Sequence, residues 1–182
     1  MVYSKAMYIK DVFYSYQGEG PWVGYPQLFI RFWGCNIHCA YCDEPDFRED
    51  REQHTELLLR QRIAPFLKKP IHSISITGGE PLVQPETIEA ISKMTDLPLY
   101  LESNATLPPQ LDRVKDCFTY FSMDYKPGYE DTFEASLKII KDKPNVFVKL
   151  VLLRDFKDSE IEFVSKTINK INPDIPLVIQ PV

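Results

Sequence analysis

The sequence predicts an α/β fold in which a mainly parallel sheet curves into an open, partial barrel of the (β/α)6 type. Strand-like and helix-like segments alternate along the chain, and six core strands are too few to close an eight-stranded barrel. No linker, internal repeat or low-complexity tract interrupts the 182 residues, which are enough for one domain with a hydrophobic core. We therefore predict a single domain over residues 1–182.

The predicted strands are short segments rich in β-branched and aromatic residues. They are Tyr8 to Tyr14, Gln27 to Trp33, His72 to Thr77, Leu97 to Leu101, Phe118 to Met123, Val146 to Leu153 and Leu177 to Gln180. In a barrel of this type the loops at the carboxyl ends of the strands form the site. We therefore expect the functional residues to lie directly after these strands.

The predicted helices are segments whose apolar residues recur at helical spacing or that carry a helix-start signal. Pro65 should kink or end the first helix early, and a proline at the first turn favours the second. Ser159 and Glu162 have the spacing of a capping box for the last. The segments are Thr55 to Lys68, Pro85 to Met94, Phe133 to Lys141, and a helix that begins at this capping box and runs to about Ile171.

Composition and charge exclude several classes of protein. The net charge of −5 disfavours binding to nucleic acid, which requires an excess of Lys and Arg on one face, so a small-molecule substrate is expected. No apolar run approaches the roughly 20 residues that cross a bilayer. Residues 1–5 lack the apolar stretch of a secretory signal. These features predict a cytoplasmic protein without a membrane partner.

Three of the four cysteines follow the predicted strand that ends at Trp33. Cys35, Cys39 and Cys42 have the spacing C-x3-C-x2-C within a loop at residues 34–43. Three thiolates can ligate three irons of a 4Fe–4S cluster and leave the fourth open to a substrate, whereas four cysteines would close it. The alternative is a structural zinc site with His38 as its fourth ligand.

The fourth cysteine lies far from the other three in the sequence. Cys117 falls in residues 116–121, which are typical of a strand, and we predict that it is a buried core residue.

The cysteine spacing resembles that of the radical S-adenosylmethionine (SAM) superfamily. The resemblance implies reductive cleavage of SAM by the cluster, with an electron donor such as flavodoxin or ferredoxin. It places Tyr41 near the adenine. It also assigns the loop Gly78-Gly79-Glu80 to the amino group of SAM, where the glycines let a ligand approach closely.

Further motifs narrow the resemblance to the 7-carboxy-7-deazaguanine synthase family. They are Gln17-Gly18-Glu19-Gly20, Gly24 to Arg31, Ile76 to Pro81, Glu102 to Thr106, Ser122 to Lys126 and Gln180-Pro181. The family converts 6-carboxy-5,6,7,8-tetrahydropterin into 7-carboxy-7-deazaguanine with loss of ammonia, on the route to queuosine and other 7-deazapurines. Magnesium as a further cofactor and a homodimeric assembly are also implied.

The resemblance assigns roles to the residues that match these motifs. Gln17, Gly18 and Glu19 would bind the edge of the pterin, and Arg31 its carboxylate. The SAM-binding residues would be Tyr41, Gly78, Gly79, Glu80, Glu102, Ser122 and Gln180. Asn104 would shape its loop, and Lys126 would be either a site residue or a solvated lysine.

The sequence departs from the family pattern at three points. Glu44 stands where the family has the Thr that ligates magnesium, and a carboxylate is also a ligand for this ion. Ala105 replaces a glycine and requires a backbone conformation that alanine can adopt. Family members continue beyond the Gln180-Pro181 strand with a His directed at the substrate, so fewer substrate contacts are expected here.

Two other functions fit parts of the pattern. An activase that makes a glycyl radical on a partner protein shares the cluster and the glycine–glutamate loop, but it has no use for Gln17, Glu19 and Arg31 around a pterin. A non-enzymatic iron–sulfur or zinc sensor would not need a site spread over six strand ends. We therefore expect the synthase.

Overall fold

The computed structural model describes residues 6–42, 53–154 and 156–181. Its strands are β1 (Met7–Tyr16), β2 (Pro26–Phe32), β3 (Gln53–His54), β4 (Ser73–Gly78), β5 (Leu99–Ser103), β6 (Tyr120–Asp124), β7 (Val146–Leu152) and β8 (Leu177–Pro181). Its helices are α1 (Glu56–Ile63), α2 (Pro85–Ser92), α3 (Pro108–Val114), α4 (Glu130–Ile140) and α5 (Asp158–Ile171). No helix over these ranges is both long and apolar enough to cross a membrane.

All eight strands form one sheet in the order β3-β1-β2-β4-β5-β6-β7-β8. Six of them, β2 and β4 to β8, run parallel and neighbour one another in chain order. β1 pairs with β2 in the antiparallel sense and carries the short β3 on its other edge. Over the described residues β3 and β8 remain the two edges, so the sheet is open, and the predicted open α/β fold with six parallel core strands is confirmed.

The two faces of the sheet differ in polarity. On the outer face, rows such as Leu28, Ile74 and Leu99 are almost fully buried and pack with apolar residues of all five helices. Burying each such side chain stabilises the fold by about 1.5–3 kcal/mol. The opposite, inner face carries polar side chains at register positions such as Ser75, Glu102, Ser122, Lys149 and Gln180. The core therefore lies between the sheet and the helices, and the polar inner face is available for a binding site.

The boundaries of α1 and α5 test two predictions that were made from helix signals in the sequence. α1 ends at Ile63, just before Pro65, as expected. α5 reaches Ile171, but the capping box is wrong: the helix already begins at Asp158, and its cap residue makes no side-chain hydrogen bond. The carboxylate of Glu162 instead accepts from Lys166 one turn later, at 2.6 Å.

The segment after β5 also differs from the prediction. α3 was missed, although it begins with Pro108 and Pro109, which favour the first turn of a helix. Cys117 does not lie in a strand: it ends a short 3-10 turn, and β6 begins only at Tyr120. The thiol is half-buried against the edge of the core, so its predicted full burial is wrong.

The connection between β1 and β2 folds over the inner face. We call residues 17–24 the floor segment. Its ends are closed by hydrogen bonds from Gln17 N to Tyr25 O (2.9 Å) and from Gly24 N to Gln17 O (2.8 Å). Trp22 packs against three rings of the inner face, at centroid distances of 4.9–5.9 Å: Tyr100, Tyr120 and Phe147. The aromatic cluster fixes the segment, so that Gln17 and Glu19 are held against the sheet.

Candidate functional site

The three clustered cysteines follow one another on the loop that leaves the carboxyl end of β2. All three thiols are partly exposed, and a hydrogen bond from Cys42 N to Cys39 O (3.2 Å) closes the last turn. Burial raises the pKa values of the Cys35 and Cys39 thiols. Cys117 precedes β6 and therefore lies at the other end of the parallel strands. Three thiols without a fourth suit a 4Fe–4S cluster with one open iron.

The glycine–glutamate loop after β4 packs directly on the cysteine loop. Gly79 N donates to Phe32 O at 3.2 Å, and Glu80 N donates to Gly34 O at 2.8 Å. A Cβ on Gly79 would lie 2.2 Å from Gly34 O, and one on Gly78 would lie 2.3 Å from Phe32 O. Both positions therefore require glycine, because the two backbones touch.

The carboxylate of Glu80 is fully buried beneath this loop. It accepts hydrogen bonds from Leu82 N (3.0 Å), Ser103 Oγ (2.9 Å) and Asn104 N (2.7 Å). Burial raises the pKa of Glu80 to about 7, although these three hydrogen bonds favour the ionised form. The side chain joins the glycine–glutamate loop to the loop after β5, and its contact with SAM stays a prediction.

Asn104 joins the loop after β5 to the cysteine loop. Its Oδ1 accepts from Thr106 N at 3.0 Å, which fixes the orientation of the amide. Its Nδ2 therefore points to Asn36 Oδ1 (3.1 Å) and Cys35 Sγ (3.8 Å). The predicted role of Asn104 in shaping its loop thus extends, in this structure, to the first cysteine.

Ala105 adopts the conformation that its replacement of a glycine requires. Its φ of 58° is the only positive value at a non-glycine residue in the described chain. Left-handed backbone costs an alanine about 1 kcal/mol. The carbonyl of Ala105 accepts from Ser136 Oγ at 2.9 Å, and its N donates to Ser103 Oγ at 3.1 Å. These contacts hold the turn in place.

Glu102 lies at the centre of the inner face and contacts Gln17. Its carboxylate accepts from Gln17 Nε2, Ser75 Oγ and Thr77 Oγ1, each at 3.0 Å. Gln17 also donates to Gln27 Oε1 at 3.1 Å. The structure thus brings together one residue predicted for the pterin and one predicted for SAM. Ser75 and Thr77 were not predicted as partners, although the polar positions of their alternating strand were a signal.

The carboxylate of Glu19 accepts hydrogen bonds from side chains of β7 and β8, near the β8 edge of the inner face. Lys149 Nζ donates to its Oε2 at 2.7 Å, and Gln180 Nε2 donates to its Oε1 at 2.9 Å. Burial raises the pKa of Glu19, but Lys149 and Gln180 outweigh it and leave the value below its usual range. Gln180 was predicted for SAM. Lys149 was missed, although a single lysine in an apolar strand was a signal.

Tyr41 and Lys126 connect the cysteine loop to β6. Lys126 Nζ donates to Tyr41 Oη at 3.1 Å and lies 4.9 Å from the centre of the Tyr41 ring. The same ammonium pairs with Asp124 Oδ2 at 2.9 Å, and its side chain is only 11% exposed. Lys126 is therefore not a solvated lysine. Asp124 Oδ1 is buried and has no hydrogen-bond partner among the described residues.

The remaining predicted residues have diverse surroundings. Arg31 Nη1 lies 3.6 Å from Asp11 Oδ2, and its guanidinium lies 5.2 Å from the centre of the Phe13 ring. Ser122 is buried next to Glu102 in the register of β5 and β6. No described atom lies within 4 Å of a Cβ built on Gly18. The predicted magnesium ligand Glu44 lies outside the described residues.

Comparisons with known proteins agree on one family. The model of the radical SAM superfamily matches residues 30–169. The chain is 36% identical over 169 residues to the 7-carboxy-7-deazaguanine synthase of Archaeoglobus fulgidus, with 83% of this chain and 74% of that protein covered. It is 32% identical over 202 residues to the synthase of the same name from Geobacter sulfurreducens, with 96% and 81% covered.

A solved structure supports the fold. The crystal structure of QueE from Escherichia coli matches 97% of this chain and 84% of that one, with a TM-score of 0.70 and 20% sequence identity. At this identity the likeness bears on the fold alone, and it agrees with the partial, open barrel described above.

Proposed function

Because the chain belongs to the radical SAM superfamily and, within it, to the 7-carboxy-7-deazaguanine synthase family, it is an enzyme of 7-deazapurine biosynthesis, and we propose how its residues divide the work. The observation that carries the proposal is the set of side-chain contacts on the inner face of the sheet. There the floor segment places Gln17 and Glu19 within hydrogen-bonding distance of strand residues, and the loop of the three cysteines leaves the carboxyl end of β2 in the same sheet.

Cys35, Cys39 and Cys42 would hold the 4Fe–4S cluster and would leave one of its irons open to SAM. When bound, the cluster supplies the electron that cleaves SAM to the radical that begins the reaction. The partly exposed thiols and the absence of a fourth cysteine from this end of the described strands support this assignment. Flavodoxin or ferredoxin is the proposed electron donor, and reduction of the cluster by either protein is the check.

The SAM side of the site would be formed by residues within β4, β5, β6 and β8 or in the loops after β2 and β4. They are Tyr41, Gly78, Gly79, Glu80, Glu102, Ser122 and Gln180. The glycines let backbone approach closely, and Glu80 holds the loop by its buried hydrogen bonds. Measured SAM affinity of Glu102→Ala and Ser122→Ala tests this assignment, and unchanged affinity in both would contradict it.

The pterin side would be formed by the floor segment and Arg31. Gln17 and Glu19 offer an amide and a carboxylate to the amino–amide edge of the pterin, and Gly18 leaves open space between them. Arg31 reaches from β2 towards the substrate carboxylate. Its planar fork of five N–H groups suits a carboxylate, and a carboxylate already lies near it: Asp11 Oδ2 is 3.6 Å from Nη1.

Arg31→Ala is expected to weaken binding of the carboxylated pterin by about 2–5 kcal/mol, because a buried carboxylate would lose its partner. SAM binding should persist. Calorimetric titration of the anaerobic protein with each ligand checks both. Arg31→Lys is the matched variant and should recover only part of the affinity, because lysine lacks the bidentate fork. Parental affinity in Arg31→Ala would refute the role.

The reaction itself is tested by anaerobic turnover with SAM, a reductant and 6-carboxy-5,6,7,8-tetrahydropterin. We expect 7-carboxy-7-deazaguanine and ammonia without any added protein partner. The activase alternative requires such a partner, and the family relatives do not favour it. SAM cleavage with no pterin product would overturn the proposed reaction.

Magnesium is proposed as a further cofactor, with Glu44 or a water bound to the ion in place of the family's threonine. Two carboxylates, of Glu44 and the substrate, would repel each other unless a cation lies between them. Turnover should therefore fall on chelation and return with added magnesium, and Glu44→Thr should keep this dependence. Turnover that is indifferent to a chelator would contradict the proposal.

Assembly and location are further proposals. We propose a single-domain chain that forms a homodimer in the cytoplasm. Sedimentation analysis would give the mass, and a monomer at micromolar concentration would contradict the dimer.

A further inference from the structure

Lys149 carries a largely buried charge on the inner face, and no role was predicted for it. It lies in the middle of β7, its side chain is 14% exposed, and its Nζ is 2.7 Å from Glu19 and 3.5 Å from Asp124. The neighbouring inner-face positions of β7, Phe147 and Val151, are apolar. Replacing a buried ion pair by apolar residues is often neutral or stabilising. Stability therefore does not account for a lysine here.

Of the two carboxylates within 4 Å of Lys149 Nζ, Glu19 is the one that depends on it. Asp124 has a closer cation, because Lys126 Nζ lies 2.9 Å from its Oδ2. The other side-chain hydrogen bond of Glu19 comes from the neutral amide of Gln180, at 2.9 Å. Loss of the ammonium of Lys149 would leave Asp124 in an ion pair but Glu19 with an amide partner.

The geometry leaves Glu19 with acceptor capacity for a ligand. A carboxylate can accept about four hydrogen bonds, two at each oxygen. Lys149 occupies one position on Oε2 and Gln180 one on Oε1, and the side chain remains 34% exposed. The amino–amide edge of a pterin carries two adjacent N–H donors. An ionised carboxylate accepts from both, whereas a protonated one would direct its own O–H at a donor.

Resting on the function proposed above, we propose that Lys149 is a positioning residue for the pterin. It keeps Glu19 ionised and, with Gln180, fixes the carboxylate so that both oxygens accept the N–H donors of the substrate. Lys149 acts through Glu19 and does not itself contact the pterin edge.

The charges around this pair set the expected dependence on pH. Lys149 faces Glu19, Asp124 and Glu102, while Lys126 adds a more distant positive charge to Glu19. Burial raises the pKa of Glu19, and Lys149 is the largest of the groups that lower it. Without Lys149 the pKa of Glu19 should rise. Pterin binding, which needs the ionised form, should then be lost at a higher pH than in the parent.

The experiment is calorimetric titration of the anaerobic, cluster-loaded protein with 6-carboxy-5,6,7,8-tetrahydropterin at several pH values, without SAM. Lys149→Met keeps the length of the side chain and removes its charge, and we expect affinity at neutral pH to fall about 30-fold or more. The loss should deepen as the pH falls. Lys149→Arg keeps the charge and should recover most of the affinity. Lys143→Met is the matched control, because Lys143 pairs with Asp116 on the surface, and it should bind as the parent does.

A double-mutant cycle shows whether Lys149 acts through Glu19. In a Glu19→Gln background no carboxylate remains at position 19 to be ionised, so Lys149→Met should reduce the affinity for the pterin little further. An equal loss in both backgrounds, or parental affinity and pH profile in Lys149→Met, would overturn the inference. So would failure of both Lys149→Met and Lys149→Gln to hold the cluster, since the role would then be structural. A parent that binds no pterin would instead overturn the proposed function, and this inference with it.

Discussion

Replacement of any one of Cys35, Cys39 and Cys42 by alanine is expected to abolish the 4Fe–4S cluster. In the proposed assignment each thiolate would ligate a different iron, and the described strands bring no other cysteine to this end of the sheet that could take its place. Iron and sulfide content after anaerobic reconstitution measures the result, and cleavage of SAM should be lost with the cluster.

Cys117→Ala is the matched control for these variants. Cys117 lies before β6 at the opposite end of the parallel strands, half-buried at the edge of the core. Its replacement should leave the iron content unchanged and cost about 1 kcal/mol of stability for the lost packing. Full cluster content in Cys39→Ala, or loss of the cluster in Cys117→Ala, would refute the ligand assignment.

Gly79→Ala should disrupt the site almost as completely, for a purely steric reason. The new Cβ would lie 2.2 Å from Gly34 O and 3.2 Å from Cys35 Cβ, and a backbone oxygen cannot move aside as a flexible side chain does. The cysteine loop must shift. We expect a loss of about 3 kcal/mol in the free energy of unfolding, together with most of the cluster. Denaturant unfolding of the apo chain and iron analysis of the reconstituted protein measure the two effects separately.

Variants at two other glycines distinguish destabilisation by steric overlap from destabilisation by backbone strain. Gly128 has a φ of +88°, but no described atom lies within 4 Å of a Cβ built there, so Gly128→Ala should cost about 1 kcal/mol and keep the cluster. Gly18 has neither a crowded Cβ position nor a positive φ, so Gly18→Ala should keep the parent's free energy of unfolding. Parental stability and iron content in Gly79→Ala would show that the two loops do not touch in solution as they do here.

The order of the parallel strands and the places of the two loops could be predicted because they depend on local signals. Alternation of strands and helices gave the open parallel sheet, and motifs after the strands located the cysteine loop and the glycine–glutamate loop. A prediction was wrong where one residue could make two different local interactions. Glu162 matched a capping box, for example, but pairs with Lys166, because the helix begins earlier than the box requires.

The partners of the site residues could not be predicted, because they depend on strand register. Glu102 meets Gln17 only because the floor segment crosses the inner face, and Lys149 meets Glu19 across 130 residues of chain. A one-residue slip of β7 would turn Lys149 to the outer face. Periodicity reveals that a strand carries one buried lysine, but the identity of its partner follows only from the assembled sheet.

The contact between Glu19 and Gln180 joins residues that leave the ribosome far apart in time. They are separated by 161 residues, and at the usual pace of translation Glu19 waits on the order of ten seconds for its last partner. Asn104, by contrast, follows Cys35 by only 69 residues. Both the cysteine loop and Asn104 are therefore synthesised well before Gln180, the last partner of Glu19. If the proposed roles hold, a nascent chain acquires its cluster ligands earlier than the complete set of contacts that positions Glu19 for a substrate.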